Sequence, residues 1–94
     1  MKPDQLTDAL EAAAVQVGIR VRYEAMTGET AGSGGLCRIR DEWRVIIDRR
    51  STASERVAVL AEALGSFDTE SIYLAPEVRE AIDRHRRPTV GGAT

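Results

Sequence analysis

Between Gly35 and Asp68 the chain reads GLCRIRDEWRVIIDRRSTASERVAVLAEALGSFD. Two short runs rich in apolar residues flank a polar turn, which predicts a β-hairpin over residues 35–49. The segment then changes to helical periodicity, because Thr52 and Glu55 form a capping box and Gly65 ends the apolar stripe. A hairpin that leads directly into a capped helix is typical of an α+β fold.

Side-chain alternation predicts the register of this hairpin. We expect Cys37 and Ile39 to share the buried face of the sheet with Val45 and Ile47. Because side chains alternate with a period of two, only a turn with an odd number of residues allows this. The prediction is therefore a three-residue turn, Asp41–Trp43, with Ile39 opposite Val45 and Cys37 opposite Ile47.

The rest of the chain adds two helices and one strand. Pro3 and the acidic residues that follow it begin an amphipathic helix, which Gly18 ends as a left-handed cap. Residues 19–24 alternate strictly between apolar and polar side chains, as a half-buried strand does. A last helix begins at Pro76. The predicted fold is α+β, with an N-terminal helix, a three-stranded antiparallel sheet that contains the hairpin, and then two helices.

Length and composition predict one domain. A chain of 94 residues is too short for two ordinary cores. We expect a single α+β domain over residues 1–88, a flexible connector over the glycine-rich residues 27–35, and a flexible tail over residues 89–94. The chain has one cysteine, no apolar run long enough to cross a membrane and no secretory signal at its N-terminus. These features predict a cytoplasmic protein that does not bind membranes.

Arginine accounts for nearly all of the basic residues, since there is only one lysine. The predicted register places five arginines on the outer face of the sheet, together with Leu36 and Ile46. Those five are Arg20, Arg22, Arg38, Arg40 and Arg44. Arginine is suited to bidentate contact with carboxylates, so this face is a candidate binding surface. The formal net charge of −2 argues against a general nucleic-acid binder.

Trp43 is the only tryptophan and lies at or beside the hairpin turn. It could fold over the inner face of the sheet and pack in the core. It could also stand exposed as an anchor for a partner. The sequence leaves both alternatives open, and Trp43 is kept among the candidate binding residues.

No catalytic or metal-binding set is recognisable. Cys37 and His85 could form a nucleophile and base, but Cys37 is predicted to face the core, where a thiol is inert. One cysteine and one histidine do not make a zinc site. Asp68 and Glu70 are close enough in sequence to hold a cation, although two loop carboxylates are common without one. We therefore expect no catalytic residues, no metal and no cofactor.

Residues 6–68 resemble the N-terminal half of the ImmA/IrrE family of bacterial zinc metallopeptidases. In that family a Gly-led hairpin runs into a helix bearing Leu-Ala-His-Glu-Leu-Gly-His, and the corresponding segment here is Leu-Ala-Glu-Ala-Leu-Gly-Ser, residues 60–66. Glu62 and Ser66 stand at the two zinc-binding histidines, and Ala63 stands at the catalytic glutamate. The resemblance implies a non-catalytic bacterial relative, a pseudo-metallopeptidase that binds no zinc.

These observations predict a small non-enzymatic bacterial protein-interaction module that uses the arginine-rich sheet face or an open edge of the sheet. We expect a protein partner with an acidic patch, bound through guanidinium–carboxylate contacts. We also expect self-association into a homodimer, because a small core with few aromatic residues gains stability by pairing. The alternative is an anion or nucleic-acid binder that uses the same arginines. Against it, the outer face offers no aromatic side chains on which bases could stack.

Overall fold

Three helices and one three-stranded sheet make up the fold. The computed structural model describes residues 1–25 and 34–88. In chain order the elements are helix α1 (Pro3–Gln16), strands β1 (Ile19–Glu24), β2 (Gly34–Ile39) and β3 (Glu42–Asp48), and helices α2 (Ala53–Leu64) and α3 (Pro76–Asp83). The predicted α+β class and order of elements are confirmed. Residues 27–33 of the expected connector and the expected tail lie outside the described residues. Within the described ranges, no helix is long and apolar enough to span a membrane.

The sheet is mixed, so the expectation of a purely antiparallel sheet was wrong. Its strand order is β1-β3-β2, with β3 in the centre. β3 runs antiparallel to β2, as a hairpin requires, but parallel to β1. β1 and β2 follow each other in the chain but are not neighbours in the sheet, because β3 lies between them. This arrangement places Val45 between Val21 and Leu36, so the central strand β3 is hydrogen-bonded to a neighbouring strand on both of its edges.

The hairpin has a two-residue turn, and the predicted register was wrong. Ile39 lies opposite Glu42, which leaves only Arg40 and Asp41 in the turn. As a result Leu36, not Ile39, faces Val45 across the hairpin. The parity argument treated Cys37 and Ile39 as the buried residues of β2. β2 has apolar side chains on both of its faces, and the one that packs against the core is the half-buried Leu36.

The strands thus have an inner face and an outer face. The inner face points to the helices and carries the side chains of Ile19, Val21, Tyr23, Leu36, Arg38, Trp43, Val45 and Ile47. The outer face carries Arg20, Arg22, Glu24, Gly35, Cys37, Ile39, Glu42, Arg44, Ile46 and Asp48. Helix α1 packs on β1, helix α2 packs on β2 and β3, and α3 packs on the other two helices. The inner residues Val45 and Ile47 are fully buried in one core with Leu10, Leu60 and Ile82.

Helix α2 has the ends that the sequence predicts. The Glu55 N–H donates to Thr52 Oγ1 at 3.1 Å, and the Thr52 N–H donates to Glu55 Oε1 at 2.7 Å, so the capping box is confirmed. Gly65 ends the helix with an ordinary φ of −62°, whereas Gly18 takes the left-handed φ of +90° after α1. The need for glycine at position 65 is steric, because a Cβ there would lie 2.1 Å from the His85 carbonyl oxygen. The Arg87 N–H donates to the Gly65 carbonyl oxygen at 3.0 Å, and this hydrogen bond holds the turn after α3 against the end of α2.

Candidate functional site

The outer face divides into a charged half and an apolar half. Arg20 and Arg22 project from β1, and Arg44 projects from the neighbouring part of β3. On the other side Cys37 and Ile39 project from β2, and Ile46 of β3 lies beside Gly35. Every helix that packs on the sheet in the described part of the chain packs on the inner face. Among the described residues, the outer face is therefore a sheet surface without a helical cover.

The arginines of the outer face are matched by carboxylates of the same face. Arg44 Nε lies 2.7 Å from Glu42 Oε2, and Arg20 Nε lies 3.6 Å from the same oxygen. Arg22 lies 3.8 Å from Glu24. The hydrogen bond from Arg44, supported by the charge of Arg20, lowers the pKa of the Glu42 carboxyl. With Asp48 included, the outer face carries three arginines and three carboxylates, so it has no net charge.

Two of the five predicted arginines do not lie on the outer face. Arg38 projects from the inner face, where its guanidinium lies 5.1 Å from the centre of the Trp43 ring and 3.8 Å from Asp41. Arg40 lies in the hairpin turn with a φ of +60°. Both differences from the prediction follow from the two-residue turn. It places each β2 side chain on the face opposite to the predicted one and leaves Arg40 outside the strand. The structure brings together Arg20, Arg22 and Arg44 only.

Trp43 lies on the inner face and packs against Phe67. The two rings meet edge to face, with centroids 5.6 Å apart and planes at 88°. Trp43 is half-buried, and Phe67 is buried. Of the two alternatives for Trp43, this geometry matches core packing, with Arg38 stacked on the part of the ring that remains accessible.

The prediction from side-chain alternation did not identify the apolar half of the outer face. Cys37 and Ile39 were expected in the core, but Cys37 is half-buried on the outer face, and Ile39 is 40% exposed. Leu36 was expected outside and packs inside. The hydropathy of Leu36 relative to Cys37 was a usable signal, since leucine is the better core residue on area alone.

A groove of about 490 Å³ lies between β2 and α2. Gly34, Gly35 and Leu36 form one wall. The other wall is a stripe of mostly small α2 side chains with two carboxylates, namely Glu55, Ala58, Val59, Glu62 and Ala63, and the groove ends at Ser66 and Arg87. Glu62 lies 3.5 Å from Arg87 across this end.

The residues aligned with the zinc site of the ImmA/IrrE family line this groove. Glu62 is exposed, whereas Ala63 and Ser66 are buried. In residues 1–25 and 34–88 there is no group of three or more His, Cys, Asp or Glu side chains placed to hold a metal ion. Asp68 uses one carboxylate oxygen to accept the Glu70 N–H at 2.9 Å, which is a local turn contact.

The chain was compared with family models, curated proteins and solved structures, and it matches none of them. The resemblance to ImmA/IrrE peptidases therefore stays a prediction from sequence. The outer face and the groove are the two surfaces from which function can be argued.

Proposed function

We propose that this protein is a small non-enzymatic protein-interaction module that binds another protein through the outer face of its sheet. The observation that carries the proposal is the outer face, which no helix of the described residues covers and on which the half-buried Ile46 and the exposed Ile39 lie beside ion pairs. Apolar side chains in the middle of a sheet face lose contact with water when a partner covers them. A rim of charged groups then fixes the orientation of that partner.

The partner is expected to present both apolar and charged groups. The expectation of a partner with an acidic patch depended on five arginines that share one face of the sheet. Three remain on the outer face, and Arg20 and Arg44 already contact Glu42. A partner carboxylate could still join this network, because a guanidinium has five N–H donors. The larger contribution to affinity is expected from covering Ile46 and Ile39, since exposed ion pairs add little.

The anion-binding alternative receives less support from this geometry. A phosphate on the outer face would approach three carboxylates as well as three arginines, so the electrostatic gain would be small. For this reason we advance no second function for this face.

The proposal can be tested with one substitution and a matched control. Ile46→Glu places a charge in the apolar half of the outer face, whereas Val15→Glu places the same charge on α1, where Val15 is 69% exposed. Each tagged variant is used to purify partners from the organism of origin, and binding of the purified partner is then measured by calorimetry.

We expect the wild type and Val15→Glu to bind the partner equally, and Ile46→Glu to raise the dissociation constant by about tenfold or more. Both variants should keep the circular dichroism spectrum of the wild type. If Ile46→Glu binds as well as Val15→Glu does, the outer face is not the binding surface, and the proposal fails.

A further inference from the structure

We propose that the free edge of β2 pairs with β2 of a second copy of this chain, so that two sheets join into one six-stranded sheet. β2 pairs only with β3 among the described strands, so no described strand lies beside its other edge. An unpaired edge presents a row of N–H and C=O groups to which another strand can bind. This surface differs from the outer face, and the inference does not depend on the proposed function.

The two edges of the sheet differ in how they are protected against pairing. β1 is the other edge, and it carries charged residues at alternate positions, namely Arg20, Arg22 and Glu24. Charged side chains of this kind are a common protection of edge strands. β2 has only one charged residue, Arg38, and no proline. The β2 edge is therefore the one suited to accept a strand.

The hairpin geometry determines which β2 residues offer hydrogen bonds at this edge. Ile39 and Glu42 flank a two-residue turn, so they form a hydrogen-bonded pair, and the pairing then alternates along the ladder. The N–H and C=O groups of Gly35, Cys37 and Ile39 consequently point to β3. Those of Leu36 and Arg38 point to the free edge.

Two-fold symmetry and the two faces of the sheet restrict the register. In an antiparallel pair of identical strands, two residues that lie opposite each other have side chains on the same face of the sheet. The two-fold axis must therefore pass beside one residue, which then lies opposite its own copy in the second chain. An axis beside Leu36 would bring Gly34 into the ladder, although its φ of +124° departs from strand geometry. An axis beside Cys37 leaves Gly34 out. It places Leu36 opposite Arg38 of the second copy, and Gly35 opposite Ile39 of the second copy.

This register also matches charges across the dimer. Leu36 lines the groove together with Glu55 and Glu62 of α2. Because Arg38 of the second copy lies opposite Leu36 on the inner face, its guanidinium enters a groove that contains these two carboxylates. The groove also contains the guanidinium of Arg87, which pairs with Glu62. To enter the groove, the Arg38 guanidinium leaves the Trp43 ring, whose centre is 5.1 Å away, and Asp41, which is fully exposed and 3.8 Å away. The same contact forms twice by symmetry, once in each groove.

The register makes a direct prediction for Cys37. The two Cys37 residues face each other as a non-hydrogen-bonded pair, with Cα atoms about 4.5 Å apart, which is within the range that a disulfide bridges. We use this thiol as a probe. The intact protein is treated with oxidised glutathione, and the same treatment is given to a Cys37→Ser/Ile46→Cys variant, whose single thiol is half-buried on the outer face of the adjacent strand.

We expect the wild type to form a covalent dimer of twice 10.3 kDa and the double variant to stay uncrosslinked. Without oxidant, sedimentation from about 1 µM to about 1 mM should show the wild type shifting from monomer to dimer. Arg38→Glu should weaken the dimer by about tenfold or more, since it brings a third carboxylate to the groove. Arg40→Glu makes the same charge change in the turn and should leave the dimer as it is.

Three results would overturn the inference. A wild-type protein that stays monomeric to about 1 mM excludes edge pairing. A dimer that crosslinks in the Cys37→Ser/Ile46→Cys variant and not in the wild type pairs through the outer face. An Arg38→Glu variant that is folded and dimerises as tightly as the wild type contradicts the register. The first and third results leave the Ile46→Glu capture experiment unaffected, because that experiment reports on the outer face.

Discussion

Ile46 and Ile47 are neighbours in the central strand and have opposite surroundings. Ile47 is fully buried on the inner face, where helices and adjacent strands surround it. Ile46 is half-buried on the outer face, between Arg22 on one side and Gly35 on the other. The same side chain therefore contributes to folding at one position and is available for contact at the other. We therefore expect substitutions on the inner face to lower the free energy of unfolding much more than substitutions on the outer face do.

The largest expected effect comes from shortening the two isoleucines in turn. Ile47→Ala leaves a cavity in the core and should lower the free energy of unfolding by about 2–5 kcal/mol. Ile46→Ala removes only partly buried area and should lower it by about 1 kcal/mol. Urea unfolding followed by circular dichroism measures both. Equal losses for the two variants would show that the outer face is covered in the folded protein.

The adjacent glycines of β2 provide a second comparison between the faces. A Cβ at Gly34 would lie 1.9 Å from the Ile46 carbonyl oxygen, and Gly34 has a φ of +124°, whereas nothing lies within 4 Å of a Cβ at Gly35. Gly34→Ala should therefore destabilise the protein by at least about 2 kcal/mol. Gly35→Ala should change its stability by less than about 1 kcal/mol, in the stabilising direction. Thermal unfolding of the two variants separates them, and a tolerated Gly34→Ala would contradict the backbone geometry at the start of β2.

Helix α2 could be predicted from sequence because its signals are local. The Thr52 capping box, the apolar stripe and Gly65 all lie within a few turns of one helix, and each is found at its predicted place. Only the reason for Gly65 differed, because its contact with His85 joins residues that are distant in sequence. A local sequence pattern cannot predict a steric contact between segments that are distant in sequence.

The outer face could be predicted only in part. The alternation of β1 placed Arg20 and Arg22 correctly, since that strand has a single buried parity. The hairpin was harder because its turn, Arg40–Asp41, contains neither glycine nor asparagine, the residues that usually mark a two-residue turn. The side of β2 that faces the core then depended on choosing between Leu36 and Cys37. One shift in register exchanged the faces of all β2 side chains, Arg38 among them.

The hairpin turn itself should respond to a smaller change. Arg40 has a φ of +60°, a conformation that disfavours side chains with a Cβ. Arg40→Gly removes this penalty and should raise the free energy of unfolding by up to about 1 kcal/mol. Asp41→Gly is the control, since Asp41 has no positive φ, and it should be destabilising instead. Chemical denaturation of both variants tests the two-residue turn, and the opposite order of stability would restore the three-residue alternative.

The smallest effect is expected at Glu42, which joins Arg20 and Arg44 on the outer face. The hydrogen bond from Arg44 lowers the pKa of the Glu42 carboxyl in the folded protein below its ordinary value near 4.5. A lowered folded pKa means that the contact stabilises the fold above pH 4.5 and that this contribution disappears as the pH falls through the folded pKa.

Glu42→Gln should therefore be slightly less stable than the wild type at pH 7, and the difference should shrink as the pH is lowered below 4.5. Added salt should also reduce the difference, because both partners of the ion pair are partly exposed. Unfolding curves at a series of pH values test the sign, and a difference that grows in acid would contradict the assignment.

The same variant separates two kinds of partner for the outer face. Removing the carboxylate frees Arg20 and Arg44, so a partner with an acidic patch should bind Glu42→Gln more tightly than it binds the wild type. A partner held chiefly by Ile46 and Ile39 should bind both proteins alike.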